Sequence, residues 1–146
     1  ELVFTSLTKQ AMPVIRYRTR DLTRLLPGTA YPPFRRMQKV TGRTDDMMIV
    51  RGVNVFPSQI EELILEVAGL TPHYLCVLTR PGALDELTVE VEAHESVPEA
   101  TRPELGRRLA GLVKHRIGVT VAVDVKPPHA LERSLGKAVR ISDRRR

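Results

Sequence analysis

Met47-Met48-Ile49-Val50-Arg51-Gly52-Val53-Asn54-Val55-Phe56-Pro57-Ser58-Gln59-Ile60-Glu61-Glu62-Leu63-Ile64 is the stretch that decides the fold. Two short apolar runs flank Arg51-Gly52, which reads as a tight hairpin turn because glycine accepts positive φ without cost. Pro57 then opens a helix. Ser58 and Glu61 have capping-box spacing, and Ile60, Leu63, Ile64 and Val67 share one stripe. Gly69 stands where such a helix should stop.

Working toward the C-terminus, residues 73–79 read as a strand and Arg80-Pro81-Gly82 as a turn. Leu87, Val89, Val91 and Ala93 alternate with Thr88, Glu90 and Glu92, so the next strand is expected to have one wet face. Thr101 and Glu104 form a second capping box before a helix whose stripe is Leu105, Leu109, Leu112, Val113 and Ile117, ended by Gly118. Val119, Val121, Val123 and Val125 alternate as the last strand. From residue 53 the order is βαββαβ. It predicts the α+β class: a small C-terminal domain, built as a ferredoxin-like sandwich with two helices on one face of an antiparallel sheet and a β-hairpin before it. Residues 131–137 lack periodicity and read as a loop.

Working toward the N-terminus, the signal weakens. Pro27-Gly28, Pro32-Pro33 and the basic run 34–39 read as a connecting loop. Before it, residues 1–7, 13–17 and 22–26 are short strand candidates that cannot close a core alone. They should pack on another part of a protein. The chain opens within an alternating pattern and without Met, as expected of a piece of something longer. Strand exchange into a homodimer is one way such strands could find a partner.

Composition narrows the partners. Among 146 residues, 42% are hydrophobic but only 4% aromatic, so the core must be mostly Val, Leu and Ile. A net charge of +6 favours anionic partners. One cysteine, Cys76, excludes a disulfide framework and a cysteine-cluster metal site. That fits a reducing compartment, expected to be the cytoplasm. No apolar run approaches the ~20 residues that span a bilayer.

Three segments carry chemistry. In Tyr17-Arg18-Thr19-Arg20-Asp21, an acid sits at a strand end among arginines; a carboxylate there can accept both hydroxyls of a ribose, although a surface ion pair is the plainer reading of Asp21 alone. In Gly42-Arg43-Thr44-Asp45-Asp46, paired acids after an arginine suit a polar junction between two bodies, or merely a charged lead-in to a hairpin. In Ser134-Leu135-Gly136-Lys137, a lysine on a glycine-containing loop can bring a point charge to a phosphate and a carboxylate together, or sit in solvent.

Taken jointly and in this order, the segments resemble the end of the adenylate-forming superfamily, most closely the phenylacetate–CoA ligase family. The longest match runs from Arg43-Thr44-Asp45-Asp46-Met47 to Arg51-Gly52-Val53-Asn54-Val55-Phe56-Pro57-Ser58-Gln59-Ile60-Glu61. The resemblance implies an ATP-dependent, AMP-forming ligase that makes a CoA thioester of an aryl or arylacetic acid, with Mg2+ accompanying ATP and coenzyme A as the acceptor. It implies that residues 1–44 end a large adenylating domain and that 45–146 form a mobile small domain. Asp21 then matches the acid on the ribose, Arg43 an arginine at the nucleotide, and Asp45 the hinge. Gly52 matches the hairpin lining the pantetheine channel, and Lys137 the lysine of adenylation. No protein-bound metal is expected.

Two departures stand out. Pro32-Pro33-Phe34-Arg35 replaces a cysteine-containing stretch frequent in that family, and Arg20 stands where glycine is usual before the acid. No glycine-rich phosphate loop is present, so the piece alone is expected to be inactive. The rival reading is an RNA-binding or regulatory module of ferredoxin-like form. The paired aromatics on which such sheets stack bases are lacking, and the basic residues scatter, so no nucleic-acid partner is expected.

Overall fold

Short strand pairs are the main regular structure of the first 47 residues, where four prolines remove ladder donors. A computed structural model describes residues 1–133 and 138–145. The chain divides into two compact units, Glu1–Met47 and Met48–Arg146. In the first unit, β1 (Val3–Phe4) pairs with β2 (Tyr17–Arg18), β3 (Asp21–Leu22) with β6 (Gly42–Arg43), and β4 (Leu25–Leu26) with β5 (Arg36–Met37), all antiparallel. A single 3-10 turn, Thr44–Asp46, follows β6.

The second unit begins with the hairpin of β7 (Met48–Val50) and β8 (Val53–Val55). Arg51 and Gly52 have φ of 51° and 81°, both positive, as a two-residue hairpin turn of primed type requires. Helix α1 (Pro57–Leu65) buries Pro57, Ile60, Leu63 and Ile64. Each large aliphatic buried there contributes roughly 1.5–3 kcal/mol. Then come β9 (Leu70–Thr79), β10 (Glu86–Ala93), α2 (Arg102–Ile117), β11 (Ala122–Lys126) and β12 (Ile141–Asp143). Four strands form one sheet in the order β11-β10-β9-β12. Helix α1 packs on β9, α2 on β11, and the helices touch each other, so they cover the same side of the sheet. Met48, Val50, Val55, Ile60, Ile64, Leu78, Leu87, Val89, Val91, Leu109 and Val113 fill the space between.

The α+β arrangement of a small sheet with two helices is the expected one, but its strand pairing differs in detail. The sheet is mixed: β9 and β10 are antiparallel, whereas β10–β11 and β9–β12 are parallel. Helix α2 is a crossover that returns the chain alongside β10, which makes that pair parallel. The strand at residues 53–55 stays with β7 outside this sheet, whose fourth member is β12, at the edge beside β9 with Ile141 opposite Cys76. Only three residues long with a single apolar member, β12 shows no periodicity in sequence.

Both expected capping boxes differ. Helix α1 opens at Pro57, but its N-cap is Phe56, two residues before Ser58, and the Gln59 side chain accepts a bond from the Phe56 N–H at 3.0 Å. Thr101 makes no side-chain cap, because the 3-10 turn Glu99–Thr101 has already put it in helical geometry. Gly118 ends α2 as expected, at φ 86°.

The wet face of β10 ends at its last carboxylate. Glu92 shares a side with Thr88 and Glu90 yet is 1% exposed. The segment after Lys126 crosses it. Leu131 N–H donates to Oε1 at 2.7 Å, and Arg133 Nη2 to Oε2 at 2.7 Å. Burial pushes the Glu92 carboxyl up, but Arg133 and the N–H groups of Leu131 and His129 outweigh it, so the net shift is downward. Further on, Arg140 lies 4.4 Å over the Tyr74 ring and 3.5 Å from Glu61. Between these two arginines lie Gly136 and Lys137, outside the described residues. Cys76 is fully buried in β9, and burial pushes its thiol up to about 12. Among the described residues no helix is long and apolar enough to cross a membrane.

Candidate functional site

Asp21 and Arg43 face each other across β3 and β6, with Nη1 of Arg43 3.5 Å from Oδ1 of Asp21. The same guanidinium forks onto Asp45, Nε to Oδ1 at 3.0 Å and Nη2 to Oδ2 at 2.9 Å. Asp46 lies 3.7 Å from its Nε. One arginine therefore joins a strand-end acid to the acids of the 3-10 turn just before the boundary at Met47. Such a bidentate fork is geometrically specific as well as charge-assisted.

Arg20 completes this cluster, and only its departure from the family pattern flagged it in the sequence. Its φ is 65°, a left-handed conformation that costs a non-glycine residue roughly 1–2 kcal/mol. The usual glycine at this position fits that backbone. Backbone bonds hold the strained residue: its N–H donates to Glu1 Oε1 at 3.0 Å, and its carbonyl accepts from Thr44 N–H at 2.8 Å and from Thr44 Oγ1 at 3.4 Å. Its guanidinium reaches Asp45 Oδ2 at 3.2 Å.

The Arg43 fork holds the Asp45 carboxyl at about 2, against an upward push from desolvation and with help from Arg20. The Asp45 carboxyl carbon should therefore show no titration in an NMR pH series above pH 3, whereas an unpartnered aspartate titrates near 3.9. A midpoint near 4 would mean the fork is open in solution.

Gly52 lies in the second unit at an exposed hairpin turn. A Cβ built there meets nothing within 4 Å, so it is backbone conformation and not internal packing that asks for glycine. Lys137, the expected catalytic lysine, lies outside the described residues. Thus Asp21, Arg43 and Asp45 come together in the first unit, and Gly52 sits on the second. Among the described residues no group of three His, Cys, Asp or Glu side chains could hold a metal ion. Sequence reasoning missed the contacts of Glu92 with Arg133 and of Asp85 with Arg145, because their partners lie 41 and 60 positions apart.

A hairpin leading into a helix, then a small mixed sheet covered by two helices, is the architecture of the C-terminal domain of adenylate-forming enzymes. A family model described as AMP-binding enzyme C-terminal domain matches residues 52–145. The chain belongs to that family. It is 54% identical to a phenylacetate-coenzyme A ligase of Aromatoleum evansii over 99% of its own length and 34% of the relative's. The chain thus spans about a third of the curated relatives it matches. A crystal structure of a domain of phenylacetate-coenzyme A ligase from Bacteroides vulgatus superposes with TM-score 0.63 at 38% identity, covering 70% of this chain and 95% of that one. 2-Hydroxyisobutyryl-CoA ligase in its postadenylation state matches with TM-score 0.77 at 31% identity, over 97% of this chain and 31% of that one. These relatives disfavour the RNA-binding alternative.

Proposed function

We propose that this chain is the C-terminal part of an ATP-dependent, AMP-forming acyl-CoA ligase that activates an aryl or arylacetic acid. Residues 1–44 end the large adenylating domain, and 45–146 are the mobile small domain. In the first step a carboxylate oxygen attacks the α-phosphorus of ATP and pyrophosphate leaves, giving the acyl-adenylate. In the second the thiol of coenzyme A loses its proton and attacks the acyl carbon, and AMP leaves. ATP enters with Mg2+ as its counter-ion.

Each named residue has a physical task. Asp21 accepts the ribose hydroxyls, since a carboxylate takes two donors side by side. Arg43 orients Asp21 and contributes positive charge near the nucleotide. Lys137 brings an ammonium between the two anions that must meet. Asp45 is the pivot, and after the swing Gly52 faces the pantetheine arm, where a bare backbone allows close approach.

The observation that carries this reading is the Asp21–Arg43–Asp45 cluster, in a chain whose relatives are phenylacetate–CoA ligases. One guanidinium couples the proposed ribose acid to the proposed pivot. The test is pyrophosphate exchange. The full-length ligase carrying this sequence should exchange pyrophosphate into ATP only with an arylacetic or aryl acid present, and residues 1–146 alone should not. Exchange by the isolated chain, or no acid-dependent exchange by the full-length protein, overturns the proposal.

A further inference from the structure

We propose that Asp85 and Arg145 are positioning residues that set the Gly52 hairpin for thioester formation; the inference rests on the role given to Gly52 above. The β7–β8 hairpin is a two-stranded ribbon outside the four-stranded sheet, and such a ribbon is marginal by itself. Met48 and Val55 at its root, and Val50 directly beside the turn, are buried. The turn residues Arg51 and Gly52 are exposed, and Ile49 is 51% exposed.

Two arginine bonds tie the tip to the rest of the unit. Arg51 Nε donates to the Asp85 carbonyl at 3.0 Å, and Arg145 Nη1 donates to the Ile49 carbonyl at 3.4 Å. Both meet at the turn before β10. Asp85 Oδ1 accepts from Arg80 Nε at 2.6 Å and Oδ2 from Arg145 Nη1 at 3.0 Å, with the carboxylate only 14% exposed. Arg145 also forks onto Asp143 at the end of β12, Nε to Oδ1 at 2.9 Å and Nη2 to Oδ2 at 2.6 Å. One planar guanidinium therefore joins three elements: the last strand, the β9–β10 turn and strand β7 of the hairpin. A lysine could supply the charge but not the fork.

Ion pairs in contact with solvent contribute little to folding. What this network can supply is placement. A displacement of about 1 Å at a reacting geometry costs on the order of a hundredfold in rate; Val50 and Val53 anchor the strands to the core, while the exposed turn residues Arg51 and Gly52 project beyond it.

The test uses the full-length ligase and separates the half-reactions. Thioester formation is followed in single turnover from supplied acyl-adenylate and coenzyme A, adenylation by pyrophosphate exchange. Asp85→Asn and Arg145→Gln should each slow thioester formation about tenfold and leave exchange within about twofold. The double variant should be no slower than the worse single one, because the pair acts as a unit. Arg145→Lys should not rescue the rate. Equal loss in both half-reactions, or no loss in either, overturns the inference. Arg145 lies past the last strand, so Arg145→Gln still decides the matter if Asp85→Asn does not fold. Gly52→Val is the control for the underlying reading: if it too spares thioester formation, the assignment of Gly52 fails; if it blocks that step while the network variants do not, only the inference about Asp85 and Arg145 falls.

Discussion

Lys137→Ala in the full-length ligase should lower acyl-adenylate formation by about 100- to 1,000-fold, the usual loss when one electrostatic stabiliser of a developing anion is removed. Two negatively charged reactants must meet in that step, and a positioned ammonium offsets their repulsion without the reorganisation that water would need. Thioester formation from supplied acyl-adenylate should change by less than about threefold, since no pentavalent phosphorus forms in that step. Comparing burst amplitudes of the two half-reactions checks this. Equal suppression of both would assign Lys137 to folding or general nucleotide affinity and would remove the alternation of faces from the mechanism.

The second large effect is expected at Glu92, for a different reason. Its carboxylate is buried and answers the Arg133 guanidinium and the Leu131 N–H. Glu92→Ala leaves both donors facing a void. The cost should be roughly 2–3 kcal/mol, below the ~3–5 kcal/mol of a fully buried pair because Arg133 is partly in water. The pH dependence has a definite sign. The folded-state pKa is depressed below the ordinary 4.5, so the contribution is present above that unfolded value and is lost as pH falls through the folded one. In urea titrations of the chain, Glu92→Gln should therefore be destabilised at pH 7, and the gap to the parent should narrow below pH 4.5. A gap independent of pH would mean Glu92 is not ionised in the folded protein.

Much of the second unit was legible because its signals are local. The Arg51-Gly52 turn, the stripe of α1 and the stop at Gly118 each follow from neighbours within a few residues. What was illegible depends on long-range partners. Glu92 alternates like a solvent-facing residue, and only the later passage of residues 129–133 buries it. The short β12 carries no pattern, yet it completes the sheet. Of the candidate site, resemblance singled out Asp21, Arg43 and Asp45 one by one, but that a single guanidinium joins all three was not legible, because no spacing rule produces it. The Arg20 backbone shows why a glycine is usual there: the chain must turn left-handed just before the acid, whatever side chain it carries.

Cys76 has a practical consequence. It is the single thiol of these 146 residues, sealed in β9 and held protonated at any working pH. Maleimides react with thiolates that solvent can reach, so this position stays dark to them. Within this chain, a cysteine introduced at the exposed Gly82 turn would take a dye without first stripping the native residue, giving a probe that reports on the second unit alone.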